Sequence, residues 1–221
     1  MQLRDRTIFV TGGTRGIGRA LVERILWHDP AAVIVVGRDR LALEAVASTD
    51  VRIVPHSADL GDPEAIAELA RWLGEAHPTL SVLVNNAGSQ LLTDLVSEAA
   101  PGFVESLRRE IAVNFDGVIA LTLQLMPLLL AQNEAMIVNV TSGLALAPKQ
   151  SSPVYCATKA GLRSFTKALR YQAEARAPQL HVVEALPPLV DTNMPRGRGR
   201  GKLSPEACAD EIVAGMVSGR T

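Results

Sequence analysis

Tyr155 and Lys159 are the residues of this chain whose types and spacing indicate chemistry most directly. They lie four positions apart in a stretch with helical periodicity, so their side chains share one face of the helix. A tyrosine with its ordinary pKa of about 10 is a poor acid–base catalyst near neutral pH. A neighbouring ammonium group favours the phenolate and lowers that pKa where the site excludes water. A surface tyrosine and lysine at helical spacing give the same pattern, so the pair alone decides little.

Other polar residues follow apolar runs that read as strands. Ser142 comes two residues after the run Met136–Val140, and Asn85-Asn86-Ala87-Gly88 ends the strand-like run before it. Asn114 lies in the long helical stretch between these two runs. Ligands of open parallel sheets bind outside the carboxyl ends of the strands, so we expect these residues to share a site.

The segment Thr11-Gly-Gly-Thr-Arg-Gly-Ile-Gly18 predicts a dinucleotide-binding turn. It follows the apolar run Ile8-Phe-Val10 and leads directly into a helical pattern. Glycines let the backbone approach a pyrophosphate without an intervening Cβ, and the following helix directs its free N–H groups at the phosphates. Glycines also mark ordinary turns, and it is the strand–turn–helix context that gives this motif its meaning.

Predicted strands and helices alternate along the whole chain, and they could position these residues. The alternation predicts a single Rossmann-type, doubly wound α/β domain over residues 1–221: a parallel sheet of about six strands with helices on both faces. The predicted strands are Thr7–Val10, Val33–Val36, Val51–Val54, Val82–Val84, Met136–Val140 and His181–Ala185. The predicted helices are Arg15–Trp27, Arg40–Ala47, Pro63–Ala76, Pro101–Ala131, Pro153–Ala175 and Pro205–Val217.

Composition excludes several other classes of protein. The chain has 221 residues, 48% of them hydrophobic and 20% charged, with a net charge of −1, so it carries no global signal for nucleic acid. The apolar stretch Leu121–Ala131 is shorter than the roughly 20 residues of a membrane helix. Two distant cysteines suggest neither a disulfide framework nor a metal site. The charged start of the chain does not read as a signal peptide, so we expect a cytoplasmic protein.

Taken together, these motifs resemble the short-chain dehydrogenases/reductases over nearly the whole chain. The resemblance is carried by Thr11 to Gly18, Asp59-Leu60 after the third strand, Asn85 to Gly88, Asn114, Ser142, and Tyr155 with Lys159. Three segments also resemble a subgroup of oxidoreductases associated with D-alanine esterification of teichoic acids: Asn139-Val-Thr-Ser-Gly-Leu-Ala, Tyr155-Cys-Ala-Thr-Lys and Leu186-Pro-Pro-Leu-Val-Asp-Thr.

The family resemblance implies a catalytic set of four residues. Tyr155 would donate a proton to a carbonyl oxygen during reduction, or remove the proton of an alcohol during oxidation. Lys159 would hold the nicotinamide ribose and lower the pKa of Tyr155. Ser142 would orient the substrate oxygen, and Asn114 would hold a water that links Lys159 to solvent. Hydride would pass directly between the nicotinamide and the substrate carbon.

The resemblance also implies a set of cofactor contacts. Asp59 would accept from the adenine amine, with Leu60 beside it, while Val190 and Thr192 would hold the carboxamide. The full set is Gly12, Thr14, Arg15, Gly16, Ile17, Gly18, Arg38, Asp59, Leu60, Asn85, Ala87, Gly88, Tyr155, Lys159, Val190 and Thr192. Pro188 stands where most members have glycine, which removes one backbone N–H near the carboxamide.

NADP(H) is favoured over NAD(H) by the residue after the second strand. NAD enzymes usually place an acid there for the ribose 2′-hydroxyl, whereas this chain has Arg38, twenty residues after Gly18. A guanidinium suits a 2′-phosphate, and Arg15 matches a second basic position of NADP-dependent members. A shift of one residue would place Asp39 there instead and would reverse the preference.

The substrate is constrained only to a carbonyl compound or secondary alcohol. Loops Ser89–Ala99, Leu144–Ser152 and Met194–Leu203 are expected to line an apolar pocket, with residues 194–203 forming a mobile substrate-side loop. The Arg-Gly run from Arg196 to Lys202 lacks interleaved aromatic residues, so it does not read as an RNA-binding segment. Its arginines could favour an anionic substrate instead.

Two expectations concern the whole molecule. The chain ends after one helix, where many family members add a seventh strand that helps to form a tetramer. We therefore expect a homodimer joined through the helices Pro101–Ala131 and Pro153–Ala175. The alternative to an enzyme is a catalytically silent NADP(H)-binding sensor or scaffold, against which the complete catalytic set argues.

Overall fold

The computed structural model describes residues 1–97, 101–191 and 202–219, and this part of the chain contains one parallel sheet of six strands. Its order is β3-β2-β1-β4-β5-β6. The strands are β1 (Thr7–Thr11), β2 (Ala32–Gly37), β3 (Ile53–Ser57), β4 (Leu80–Asn85), β5 (Ala135–Val140) and β6 (Leu180–Ala185). The expected doubly wound Rossmann-type fold is confirmed.

Helices cover both faces of the sheet, as expected. They are α1 (Gly16–Leu26), α2 (Arg40–Ala47), α3 (Pro63–Ala76), α4 (Pro101–Ile111), α5 (Gly117–Leu130), α6 (Pro153–Arg176) and α7 (Pro205–Ser218). One core cluster packs α1, α2 and α7 on the first face, and another packs α3, α5 and α6 on the second. The central strands β1, β4 and β5 are buried along their whole length, which explains their continuous apolar runs.

The third strand lies two to three residues later than its predicted position at Val51–Val54. Val51 is fully exposed because the Asp50 carboxylate accepts from the backbone and the guanidinium of Arg52, which forms a turn there. β3 then continues to Ser57 at the edge of the sheet, where Pro55 and Ser57 are exposed. An edge strand needs fewer apolar residues than a central one, so its sequence signal is weaker.

The predicted long helix Pro101–Ala131 is interrupted. A π-helical turn at Ala112–Asp116 separates α4 from α5, and it contains the buried Asn114. A Cβ on Gly117 would collide with the carbonyl oxygen of Leu60, so glycine allows the β3–α3 loop to lie against the helix. π-helical turns are rare and occur frequently at functional sites.

Length and composition alone would allow the helical stretch Gly102–Leu130 to span a membrane. Leu121, Leu125 and Leu129 are nevertheless buried in the core cluster between α5, α3 and the sheet. The stretch therefore packs as a core helix of this domain.

The chain reverses its winding direction between β1 and β4, which are neighbours in the sheet. The connection from β1 leads towards β2 on one side, and the chain that follows β4 leads towards β5 on the other. This divergence opens a crevice at the carboxyl ends of the two strands, the usual ligand position in such sheets. All the motifs that indicated chemistry in the sequence lie at this edge.

Candidate active site

The glycine-rich turn after β1 forms a tight backbone cradle at the carboxyl edge of the sheet. Gly12 and Gly16 have φ angles of +67° and +55°, in the left-handed region that favours glycine. A Cβ on Gly12 would lie 2.9 Å from the Cα of Ala87, and one on Gly18 would collide with the carbonyl oxygen of Gly12. The turn therefore requires glycine for its conformation and for its packing.

The first turn of α1 adds free N–H donors to this cradle. Arg15 precedes the helix in an extended conformation, no side chain caps the helix, and the first turn contains no acidic residue. Uncapped N–H groups and the helix dipole favour a bound anion. The side chain of Ile17 packs against the core and the methyl group of Thr14 lies near Gly37, so these two residues offer mainly backbone groups.

Hydrogen bonds tie the glycine-rich turn to the loop after β4. The hydroxyl of Thr11 accepts from the N–H groups of Asn86 (2.9 Å) and Ala87 (3.0 Å), and the Asn86 amide donates to the Thr11 carbonyl (3.0 Å). This pairing places Ala87 and Gly88 beside the cradle. Asn86 belongs to the segment expected at the site but not to the expected cofactor contacts, because an asparagine after a strand reads equally well as a simple turn.

Arg38 and Asp39 have different structural roles at the end of β2. The Asp39 carboxylate accepts from the Ala42 N–H at 3.1 Å and so caps α2. Arg38 directly follows the strand and is exposed. The cap fixes the register in which the arginine occupies the strand end and the aspartate begins the helix.

Asp59 is already engaged by a neighbouring helix. Its carboxylate forms an ion pair with Arg109 of α4 and accepts from the Gly61 N–H at 3.0 Å. Burial alone would raise the pKa of Asp59, but the bonds from Arg109 and Gly61, with the charge of Arg38, hold that pKa below its ordinary value. The expected contact with an adenine amine would therefore involve an Asp59–Arg109 pair, and sequence reasoning did not identify Arg109.

Asn85 has a different place from the one expected. Its amide donates to Asn139 (2.8 Å) and Thr122 (3.2 Å) in a buried network that continues from Asn139 to Thr166 (2.9 Å). This network lies between β4, β5, α5 and α6, so the Asn85 side chain is committed to the interior. Any contact of Asn85 with a cofactor would come from its backbone.

The side chains of Ser142, Tyr155 and Lys159 converge at the carboxyl end of β5. Tyr155 and Lys159 are 8% and 4% exposed, and the Lys159 Nζ lies 5.9 Å from the centroid of the Tyr155 ring. The Lys159 ammonium donates to the carbonyl of Val140 at 2.9 Å, and the Ser142 side chain is near enough to Tyr155 to lower the pKa of its phenol. Ser142 Oγ also accepts from the Leu144 N–H at 3.2 Å, at the start of the 3₁₀ turn Gly143–Ala145.

Burial controls the protonation of both residues on α6. It raises the pKa of Tyr155, and electrostatic interaction with Glu110 and Cys156 acts in the same direction, against the effect of Ser142. Burial also lowers the pKa of Lys159 to about 8. The pKa of Tyr155 is therefore raised in the protein without cofactor, in contrast to the expected lowering, because loss of hydration outweighs the effect of Ser142.

Asn114 organises the backbone beside this group. Its amide donates to the Ser89 carbonyl and its carbonyl oxygen accepts from the Ser89 N–H, both at 2.8 Å, with a longer bond to Thr158 at 3.4 Å. A Cβ on Gly88 would lie 3.2 Å from the Asn114 Oδ1 and 3.7 Å from the Lys159 Nζ. Glycine at this position thus leaves room between the asparagine and the lysine.

Glu184 of β6 anchors the helix that carries the catalytic candidates. Its two carboxylate oxygens accept from Thr141 at 2.8 Å and Arg163 at 2.7 Å. Thr141 immediately precedes Ser142, and Arg163 lies one turn after Lys159 on α6. A mid-strand glutamate gave no sequence signal for this role.

The segment after β6 begins with the two prolines noted in the sequence. The Pro187 carbonyl accepts from the Gly143 N–H at 3.0 Å, which ties this segment to the residue after Ser142. Val190 is buried and pairs with Leu203 in a short bridge, and Asp191 forms an ion pair with Lys202 at 2.8 Å. Thr192 and most of the expected loop 194–203, including Arg196, Arg198 and Arg200, lie outside the described residues.

Comparison with known proteins places these motifs in a family. A family model described as short chain dehydrogenase matches residues 6–202. The chain is 39% identical over 194 residues to the uncharacterized oxidoreductase DltE of Bacillus subtilis. The alignment covers 88% of this chain and 75% of that protein. The chain is 29% identical over 196 residues to an NADP-dependent 3-hydroxy acid dehydrogenase of Schizosaccharomyces pombe, covering 86% and 74% of the two chains.

Solved structures give the same result for the fold. A short-chain dehydrogenase of Burkholderia cenocepacia in complex with NADP superposes with a TM-score of 0.86 at 27% identity, over 98% of this chain and 86% of that one. A short-chain dehydrogenase/reductase of Burkholderia phymatum in complex with NAD gives 0.87 at 21% identity, over 100% and 88%. With these matches and the site geometry, the chain belongs to the short-chain dehydrogenase family of oxidoreductases, in a DltE-like subgroup.

Proposed function

We propose that this protein is an NADP(H)-dependent oxidoreductase that interconverts a carbonyl compound and its alcohol, with Tyr155 as the general acid and base. The convergence of Ser142, Tyr155 and Lys159 beside the glycine cradle carries this proposal. Two separate elements place these three residues, the 3₁₀ turn for Ser142 and helix α6 for Tyr155 and Lys159. A protein that only binds a nucleotide has no need for a buried tyrosine and lysine beside the cradle.

The residues present fit a nicotinamide dinucleotide. A Cβ at Gly12 or Gly18 would fill the cradle. A backbone that approaches a pyrophosphate closely requires glycine at such positions. The uncapped α1 terminus offers N–H donors to the phosphates. Lys159 uses one of its three ammonium donors on Val140, so two can serve ribose hydroxyls.

The mechanism follows from the positions of the side chains. The nicotinamide, when bound, supplies or accepts the hydride. Ser142 and Tyr155 donate hydrogen bonds to the substrate oxygen, and in reduction Tyr155 transfers its proton to that oxygen. Tyr155 is protonated at neutral pH, as proton donation in reduction requires, but its raised pKa makes it a weak acid unless a nearby positive charge stabilises the phenolate. Lys159, mostly protonated below pH 8, stabilises the phenolate that results.

The preference for NADP(H) rests on Arg38. The arginine directly follows β2, is exposed, and its charge acts on Asp59 beside the expected adenine site. Asp39, the residue that would favour NAD, is used as the cap of α2. Arg15, also exposed, is a second cation near the cradle.

The substrate is proposed to be a small carbonyl compound with an apolar part. Carbonyl compounds that also carry an anionic group belong to this proposal. Leu91 and Leu92 follow β4, and Leu144 and Leu146 follow Ser142, so we expect apolar side chains from two loops near the catalytic group. The likeness to a 3-hydroxy acid dehydrogenase and the arginines between 196 and 200 make carboxylate substrates worth separate testing.

The test is consumption of NADPH with a panel of aldehydes, ketones and 3-oxo acids, using the native protein and Tyr155→Phe. We expect turnover by the native protein and a rate lower by at least about 100-fold in the variant, because general acid catalysis is worth about that much. Tight binding of NADPH without turnover of any compound would favour a sensor or scaffold instead.

A further inference from the structure

Glu110 is a buried ionisable group on α4, a helix that packs against α6, which carries the catalytic tyrosine. It is 1% exposed and lies on α4, one turn before Asn114. Its Oε2 accepts from the Leu91 N–H at 3.2 Å, whereas its Oε1 is buried and has no hydrogen-bond partner among the described residues. Burial of an acid with half of its acceptors unused is unfavourable, so it requires an explanation.

The bond to Leu91 is one of several that hold the loop after β4. Asn114 holds Ser89 through both backbone groups, Glu110 holds the Leu91 N–H, and the Ser151 carbonyl accepts from the Thr93 N–H at 3.0 Å. This loop borders the substrate side of the site. Glu110 and Asn114 thus act from one helical stretch on alternate residues of the same loop.

The charge of Glu110 also acts on Tyr155. When ionised, it raises the pKa of Tyr155, in the same direction as Cys156 on α6. Lys159 on α6 is the buried cation of this group, and its ammonium is bonded to Val140. On the helix that carries Glu110, Arg109 pairs with Asp59, and Arg108 lies near Glu105 at 4.0 Å. Among the described residues, no cation pairs with Glu110 within ion-pair distance.

We propose that Glu110 is a positioning residue of the active centre, which holds the substrate-side loop through Leu91 and keeps a carboxylate without an ion-pair partner among the described residues buried one turn before Asn114. This role rests on the proposed function of Tyr155 as acid and base. Carboxyl groups ionise at lower pH than phenols, so Glu110 is charged in the pH range in which Tyr155 titrates. Burial raises the pKa of Glu110, with the Leu91 N–H acting against it, so the acid becomes charged later than an exposed glutamate.

The test uses the small number of tyrosines. The chain contains two, and Tyr171 is 62% exposed, so Tyr171→Phe leaves Tyr155 as the only phenol. In that background, Glu110→Gln removes the charge and keeps an acceptor for Leu91. Glu105→Gln removes the same charge from an exposed position on the same helix. Phenolate absorption is then followed against pH, with circular dichroism recording the folded state.

We expect Tyr155 to ionise at lower pH in Glu110→Gln than in the parent, and at the same pH as the parent in Glu105→Gln. Curves that coincide for the two variants overturn the proposal, whether or not unfolding accompanies the ionisation. If Glu110→Gln does not fold, Glu110→Met provides a neutral side chain of similar length, with the same expected shift. The titration needs neither substrate nor cofactor, so an inactive protein with a shifted Tyr155 would contradict the proposed function alone.

Hydrogen exchange tests the loop contact separately. The Leu91 amide should exchange about five to ten times faster in Glu110→Ala than in Glu110→Gln, since only the first variant lacks an acceptor. Equal exchange in both variants would overturn the positioning of the loop by Glu110.

Discussion

At the scale of single residues, burial acts on Tyr155 and Lys159 in opposite senses. It disfavours the phenolate of the tyrosine and the ammonium of the lysine, so both residues are shifted towards their neutral forms. The sequence spacing correctly indicated that they share a helix face, but it carries no information on hydration. The direction in which the pKa of Tyr155 is shifted therefore could not be predicted without the fold.

Lys159→Met should make the protein more stable at pH 7. The pKa of Lys159 is about 8 when folded, below its ordinary value of 10.5, so the buried charge costs stability below pH 8. That cost disappears as the pH rises from about 8 to 10.5, where the unfolded chain binds the extra proton. We expect a gain of about 1–3 kcal/mol at pH 7 that shrinks towards pH 10. Urea unfolding at both pH values measures it, and a variant less stable than the native protein at pH 7 would contradict the shift.

Arg38→Ala should weaken NADPH binding by about 10–100-fold, since a charge-assisted hydrogen bond contributes about 1.5–3 kcal/mol. NADH, which lacks the 2′-phosphate, should bind as before. Arg40→Ala removes an exposed arginine two residues later and is the matched control. Titration calorimetry with both cofactors decides the matter, and equal losses for NADPH and NADH would refute a role of Arg38 at the 2′-phosphate.

At the scale of elements, the glycines of the first turn differ from those in exposed helices. Gly18 has no space for a Cβ because the Gly12 carbonyl fills it, whereas Gly74 in α3 has no atom within 4 Å of that position. Two glycines inside helices thus predict opposite effects of the same substitution. The difference comes from the close approach of β1 and α1, which the glycine-rich motif requires.

Gly18→Ala should lower the free energy of unfolding and weaken NADPH binding, because backbone atoms must move to accept the methyl group. Gly74→Ala should raise the free energy of unfolding by about 0.5–1 kcal/mol, since alanine loses less entropy in a helix. Chemical unfolding and NADPH titration of the two variants provide the measurements. A Gly18→Ala protein with native stability and affinity would show that the turn is not constrained in this way.

Sequence patterns predicted the positions of the strands and helices, but they predicted the contacts between these elements less well. Apolar runs and helical periodicity gave six strands and their order along the chain, with β3 displaced because an edge strand has a weak pattern. Motif spacing also gave Ser142, Tyr155 and Lys159. The Asp59–Arg109 pair, the Thr11–Asn86 bonds and the π-helical turn depend on distant segments meeting, which no local pattern encodes.

At the scale of the whole molecule, we propose an association surface on α4, α5 and α6, to which their exposed apolar side chains would contribute. They include Val104 and Ile111 on α4, Leu123 and Leu130 on α5, and Tyr171 on α6. These helices are the two long stretches through which we propose that a homodimer forms. Burying such a face would remove apolar area that is costly to leave in water.

Leu123→Asp should convert a dimer into a monomer, because a charge would be buried at its centre. Leu41→Asp, which changes an equally apolar and more exposed residue on α2, should leave the dimer intact. Light scattering of the native protein and both variants gives the masses. A native monomer or tetramer, or a dimer that persists in Leu123→Asp, would contradict the proposed interface.

The most direct test of the account follows the label from NADPH deuterated at the transferable position of its nicotinamide. With a carbonyl substrate found in the panel, mass spectrometry of the product shows whether deuterium has reached the former carbonyl carbon. The account predicts one deuterium per product molecule from the native protein, and almost no product from Tyr155→Phe in the same time. Unlabelled product, or equal product from the variant, would contradict direct hydride transfer assisted by Tyr155.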